Sequence, residues 1–209
     1  NVGASPANSG LLEDMPAIDV ENACGLNATS YGNHEFDYGV ERLLRHQARA
    51  KFPFLGANIV DASTGKNPAW VEGTRIFSRG KLKIGVIGIE LENTPELVKA
   101  GATAGLKFLP AIDTIRTESA VLRSLGIQTQ IVLIHEGTAN GTNAVDGVAP
   151  IPWDGPIVTI AEALQDTSVD VILAGHTHRV SNVMVGDILV AEGLNAGASY
   201  SVVQMVVNG

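Results

Sequence analysis

Apolar positions in this chain fall into two kinds of run. Some are continuous, as in Ile131-Val132-Leu133-Ile134 and the stretch 169–174, and predict strands covered on both faces. Others recur at helical spacing. Ala17, Val20 and Cys24 lie at i, i+3 and i+7 and predict a helix over 15–24, with Asp14 as its cap and Pro16 in its first turn. Residues 27–31 predict a short extended segment. Asp37 then precedes a helix over 38–50 whose inner face carries Val40, Leu43 and Leu44, and whose His46, between Arg45 and Gln47, is assigned to the surface. A strand is predicted over 52–60, and a hairpin over 74–77 and 82–89 turning at Arg79-Gly80. Further on come a helix over 110–125, strands over 131–134 and 169–174, and between them a loose stretch over 137–153 and a helix over 156–164. A hairpin around Gly186-Asp187 and a last strand over 200–207 close the chain.

Early strands alternate with helices while the late hairpins are antiparallel, so the expected class is mixed α/β, with sheets flanked by helices. At 209 residues and 21.8 kDa the chain suffices for one domain, 1–209, with a sizeable core. Hydrophobic residues make up 45% and charged residues 17%, a globular balance. No apolar run reaches the roughly eighteen residues of a membrane span. The formal charge of −8 argues against a general nucleic-acid binder, which needs a basic face. The same charge disfavours an anionic substrate held by side chains alone, whereas two divalent cations would add about +4 at one point. Cys24 is the single cysteine and is expected to be a small buried apolar residue.

Three segments end apolar runs with polar side chains: Gly32-Asn33-His34-Glu35, Ile134-His135-Glu136 and Gly175-His176-Thr177-His178. They hold four of the five histidines. In open α/β sheets, ligands gather beyond the carboxyl ends of the strands, and histidine is the commonest metal ligand. Asn33, His135, His176 and His178 form a nitrogen and oxygen donor set suited to zinc, manganese or iron. Were 175–178 extended, both imidazoles would face one side, and the glycines before Asn33 and His176 would permit close backbone approach. A pair of metals needs a bridging carboxylate; Glu90, at a strand end, is the candidate, while Glu35 and Glu136 are expected to point elsewhere. His34 need not be a ligand. Asp37, three residues on, is placed to orient an imidazole that protonates a leaving group, as well as to cap the helix.

These residues resemble the calcineurin-like metallophosphoesterase family, in its 5′-nucleotidase branch. Gly32-Asn33-His34-Glu35-Phe36-Asp37 matches the branch's central motif, and His135-Glu136-Gly137 and Gly175-His176-Thr177-His178 match two later ones. Residues 52–58 and 83–88 are similar in order and spacing. The resemblance implies a four-layer sandwich of two mixed β-sheets between α-helices, binding two divalent ions (Zn, Mn, Fe, Co or Mg). Asn33, His135 and His176 would serve one metal and His178 the other, with His34 and Asp37 as the catalytic pair. The implied reaction is attack of metal-bound water on a phosphate ester, with a nucleotide as the implied substrate. Two family motifs, an Asp-x-His and a bridging Gly-Asp, are absent, as is the branch's C-terminal substrate domain. The resemblance therefore implies a catalytic domain lacking its first strands, with an impaired site and sheet edges open to self-association. It also implies an extracellular, cell-wall or periplasmic location. The alternatives are a 2′,3′-cyclic nucleotide phosphodiesterase, a nucleotide-sugar hydrolase, or a non-catalytic scaffold or binding module.

Overall fold

A computed structural model describes residues 2–3, 5–143 and 151–207. In chain order its elements are α1 (Ala7–Gly10), α2 (Met15–Cys24), β1 (Thr29–Ser30), a 3-10 turn (Asn33–Phe36), α3 (Val40–Arg49), β2 (Phe54–Leu55), β3 (Ile59–Asp61), β4 (Thr74–Arg79) and β5 (Leu82–Ile89). There follow α4 (Thr94–Leu97), β6 (Leu106–Phe108), α5 (Ala111–Ser124), β7 (Thr129–Ile134), α6 (Pro156–Ala163), β8 (Val169–Ala174), β9 (Ser181–Val185) and β10 (Ile188–Glu192). The chain forms two compact units, Asn1–Arg75 with Gly88–Thr114, and Ile76–Ile87 with Ile115–Gly209. It crosses between them within β4, β5 and α5, so no linker composition marks a boundary.

The first unit is built on an aromatic core. Tyr31, Phe36, Phe52 and Phe54 pack with Ile18, Leu43 and Ile59. Tyr31 lies 5.6 Å from Phe54 and 6.1 Å from Phe36, ring centre to ring centre. Two short sheets run beside this core. β1 pairs in parallel with β2 (Thr29 opposite Phe54), and β3 pairs antiparallel with β6 (Ile59 opposite Phe108).

Here α2 has the predicted bounds but a different buried face. Ile18 is fully buried, while Val20 and Cys24 are exposed, so Cys24 is not the buried residue expected. One apolar side chain with deep contacts outweighs a longer but shallow stripe. Asp14 stands at the helix start but does not cap it. Its backbone is left-handed (φ 60°), and its carboxylate accepts a hydrogen bond from the Ser9 hydroxyl at 3.0 Å. His46 is buried rather than on the surface, and its Nε2–H donates to the Glu13 carbonyl at 2.7 Å. That bond ties α3 to the left-handed Glu13-Asp14 corner, and Leu44, expected inside, is exposed.

The second unit is centred on a six-stranded mixed sheet in the order β4-β5-β7-β8-β10-β9. β8 is central and parallel to both β7 and β10, and β9 closes the sheet antiparallel to β10. The helices α5 and α6 supply the buried side chains Ile115, Leu122, Ile157 and Ile160. The near-continuous apolar runs of β7 and β8 thus belong to the interior of this sheet, as their composition requires. The apolar stretch 200–207 forms no strand. Val202 and Val206 are more than four-fifths exposed, and no described strand pairs with the segment. β-propensity needs a neighbouring strand to become structure.

Candidate functional site

In the first unit the polar segment follows β1. Gly32 is extended, and the chain then tightens into the 3-10 turn over Asn33–Phe36. Two side chains fix that turn from inside. Phe36 is fully buried, with its ring 5.6 Å from and perpendicular to Phe108. Glu35 is also buried, and its carboxylate accepts backbone N–H groups from Gly32 (2.6 Å) and Val2 (3.1 Å). Glu35 therefore holds the turn by reaching back to its first residue, half of a capping box.

With Glu35 and Phe36 turned inward, His34 and Asp37 emerge together, because positions i and i+3 of a 3-10 turn overlie one another. Nδ1 of His34 lies 2.8 Å from Oδ2 of Asp37. A carboxylate can only accept, so Nδ1 carries the hydrogen and Nε2 is the atom that exchanges a proton. Both side chains are partly exposed, at 41% and 26%. Asp37 does not cap α3; that helix begins at Val40, after Gly39. Asn33, by contrast, is buried at 4%. Gly3 (φ +83°) packs directly on the His34–Asp37 pair, where any Cβ would collide with His34 and Asp37.

In the second unit the three parallel strands run into polar residues. β7 runs into His135 and Glu136, β8 into Gly175 and His176, and β10 ends on Glu192. The Gly175 N–H donates to the Glu136 carbonyl at 3.1 Å, extending the β7–β8 pairing beyond the strands. Nε2 of His135 and Nδ1 of His176 come within 3.3 Å, with ring centres 5.0 Å apart. Two tetrahedral ligands at about 2.0–2.1 Å from one ion sit about 3.3 Å from each other. The pair therefore has the spacing of two corners of one coordination sphere. Among the described residues, no group of three or more His, Cys, Asp and Glu side chains is gathered to hold an ion.

The segment 175–178 is not extended. His176 (φ 70°) and His178 (φ 57°) are both left-handed, two of only five non-glycine residues described with positive φ. The Thr177 N–H turns back to the Gly175 carbonyl at 2.8 Å. Neither Gly32 nor Gly175 has a positive φ, so the strain falls on the histidines and not on the glycines before them. Left-handed backbone at a bulky residue costs about 1–3 kcal/mol and persists where its surroundings over-determine it. The glycine that close packing does require is Gly137. A Cβ there would meet Thr177 Oγ1, the Gly175 carbonyl and Glu192 Oε1.

No family model matches the chain. Over 220 residues it is 31% identical to the cell wall protein Lmo0130 of Listeria monocytogenes, covering 96% of this chain and 28% of that protein. It is 30% identical over 179 residues to a 5′-nucleotidase of Vibrio cholerae, covering 85% of this chain and 31% of the relative. It is 28% identical over 180 residues to a 2′,3′-cyclic-nucleotide 2′-phosphodiesterase/3′-nucleotidase of Yersinia enterocolitica, covering 80% and 26%. Among solved structures, the calcineurin-like phosphoesterase YfkN of Bacillus subtilis matches with a TM-score of 0.64 at 19% identity, over 89% of this chain and 60% of that one. The NAD nucleotidase of Haemophilus influenzae matches with a TM-score of 0.66 at 26% identity, over 85% and 28%.

The chain is related in sequence to 5′-nucleotidases, and its fold is the one seen in a calcineurin-like phosphoesterase. It spans less than a third of the length of the three relatives named. The family's mixed α/β fold is the one observed. Within this domain, sequence reasoning overlooked Glu192, the acidic end of an otherwise apolar strand. Its position at the carboxyl end of a parallel strand was the available signal. Glu90 was considered as a metal bridge, yet it lies fully buried in the first unit, accepting a hydrogen bond from the Thr94 hydroxyl. Burial pushes its carboxyl well above the usual range, and the nearby Glu35 charge adds to that. An acid enclosed in this way, beneath the surface, is poorly placed to bridge metals.

Proposed function

We propose that this domain hydrolyses phosphate esters of nucleotides at a divalent-metal site, as a 5′-nucleotidase-like phosphoesterase. In this proposal Asn33, His135, His176 and His178 are the metal ligands, and His34 with Asp37 is the catalytic pair. Support comes above all from the 3.3 Å approach of the His135 and His176 nitrogens at adjacent parallel strand ends. Divalent ions bound there supply Lewis acidity and neutralise charge on the phosphate.

The chain's own residues then have distinct tasks. Asp37 accepts from Nδ1 of His34 and so holds one tautomer and one ring orientation. Nε2 of His34 donates a proton or hydrogen bond where negative charge builds on the ester. Glu35 and Phe36 carry no chemistry; they fix the turn from which His34 and Asp37 project. The relative from Listeria, named a cell wall protein, supports a location outside the cytoplasm. No helix among the described residues is long and apolar enough to cross a membrane.

The test is phosphate release by the protein as encoded from 5′-AMP, from 2′,3′-cyclic AMP and from a nucleotide sugar, with Mn(II) present. Release from 5′-AMP is expected to exceed the others. Preference for the cyclic ester would favour the activity in the Yersinia relative's name, and no release from any of the three would favour a non-catalytic module. In the same assay, His34→Ala is expected to lower turnover about 10²–10⁴-fold while leaving bound metal unchanged. Loss of metal together with activity would make His34 a ligand or a structural residue.

A further inference from the structure

We propose that Glu192 is a positioning residue that sets the geometry of the histidines in the second unit. The inference rests on the assignment of those histidines to metal. Glu192 ends β10 and is 1% exposed, yet it carries no chemistry in the proposed reaction. Its two oxygens divide between two loops. Oε1 accepts from the Thr177 hydroxyl at 2.7 Å and from the Arg179 N–H at 3.3 Å. Oε2 accepts from the Thr138 N–H at 3.2 Å and from the Thr138 hydroxyl at 3.1 Å. One buried carboxylate thus fastens the loop after β8 to the loop after β7.

The residues it fastens are the informative part. Thr177 stands between His176 and His178, the two histidines with left-handed backbone. Thr138 lies three residues after His135, on a loop held so close to the other that Gly137 admits no side chain. The left-handed pair needs its surroundings to over-determine it. Anchoring Thr177 and Arg179 on either side of His178, and Thr138 after His135, meets that need.

The donor set also specifies a carboxylate. All four donors face acceptor oxygens, and two of them are backbone N–H groups that cannot rotate away. A glutamine amide is isosteric but carries an NH2 group. In one orientation that group opposes the Arg179 N–H, and in the other the Thr138 N–H.

The experiment compares wild type with Glu192→Gln, Glu192→Asp and Thr177→Val, using Co(II) alone as the probe. Outer-shell partners of metal ligands typically contribute about 10–100-fold in metal affinity. Glu192→Gln is expected to weaken Co(II) binding by that factor and to alter its visible absorption, with Glu192→Asp recovering part of both. Amide exchange in the metal-free proteins is expected to quicken together in peptides covering 137–140 and 175–180. Wild-type Co(II) affinity and spectrum in Glu192→Gln, with unchanged exchange, would overturn the proposal. Should wild type bind no Co(II), the metal assignment fails, and exchange in the metal-free protein still decides whether Glu192 joins the loops. Should Glu192→Gln not fold, Thr177→Val decides, since it removes a hydroxyl from Glu192 while leaving the carboxylate in place.

Discussion

Replacing Glu90 by glutamine tests the electrostatics of the first unit without touching the proposed chemistry. Glu90 follows β5 and is fully buried. Its N–H donates to Asn58 Oδ1 at 2.8 Å and its carbonyl accepts from Asn58 Nδ2 at 2.7 Å, so its backbone is fixed on both sides. Its Oε1 accepts from Thr94, and its Oε2 has no hydrogen-bond partner. Burial raises the carboxyl well above its usual value, with a further push from Glu35 and partial relief from the Thr94 hydroxyl. A raised carboxyl in the folded state means the native protein holds a proton that the unfolded chain releases above its ordinary value of 4.5. Stability from this group is therefore complete below that value and declines as pH rises toward the folded-state value. Within that window the unfolding constant changes by close to tenfold for each pH unit.

Glu90→Gln keeps the shape and the acceptor for Thr94 but binds no proton. Urea unfolding of wild type and variant between pH 4 and 8 isolates the effect, because other groups cancel in the difference. The variant is expected to gain on wild type steadily from about pH 4.5 upward. A difference that stays flat across this range would refute the placement of Glu90 as an enclosed acid with a raised carboxyl. A slope that disappears on adding Mn(II) would return Glu90 to the list of metal bridges.

Asp37→Ala is expected to change unfolding free energy by no more than about 1 kcal/mol, because the His34–Asp37 pair is partly exposed and solvent-screened. Turnover, measured as phosphate release, is expected to fall about 10²-fold or more, and an unchanged kcat would deny Asp37 its orienting role. Phe36→Ala removes a fully buried ring beneath the same turn and is expected to cost about 3–5 kcal/mol. That corresponds to a drop in Tm of roughly 6–20 °C in a scanning calorimeter, and a drop of about a degree would show the ring to be dispensable. Gly137→Ala places a methyl against Thr177, Gly175 and Glu192, and is expected to cost about 1–3 kcal/mol in urea unfolding. Wild-type stability there would mean that the two loops sit further apart than described.

Local patterning carried much of the fold. The bounds of α2 and β8 match the periodicity, and the hairpins at Gly80 and Gly186 lie where glycine permits the required positive φ. What escaped depends on contacts distant in sequence. His46 looked like a surface residue because its neighbours Arg45 and Gln47 are polar, but its partner is a carbonyl 33 residues away. Ile18 outweighs Val20 and Cys24 through its contacts in the aromatic core, which periodicity alone does not rank. The stretch 200–207 has strand composition but pairs with no described strand. The middle of the loose stretch predicted over 137–153, residues 144–150, lies outside the described residues.

The candidate site was legible as residue types at strand ends. His34 and Asp37 meet as their spacing requires, and His135 meets His176 across adjacent strands. The backbone at His176 and His178 was not legible, since extended geometry is the default after a strand and nothing local signals two left-handed histidines. Glu192 was hidden for a related reason. Its role arises from four donors on two loops, the nearest of them 13 residues away.

The most direct test of the account is metal dependence of phosphate release from 5′-AMP by the protein as encoded, in wild type and His176→Ala. The protein is stripped with chelator and then restored with Mn(II). The account predicts that chelation abolishes release, that Mn(II) restores it in wild type, and that His176→Ala remains lower by roughly two orders of magnitude or more. Release that persists in chelator, or that survives loss of the His176 imidazole, would contradict it.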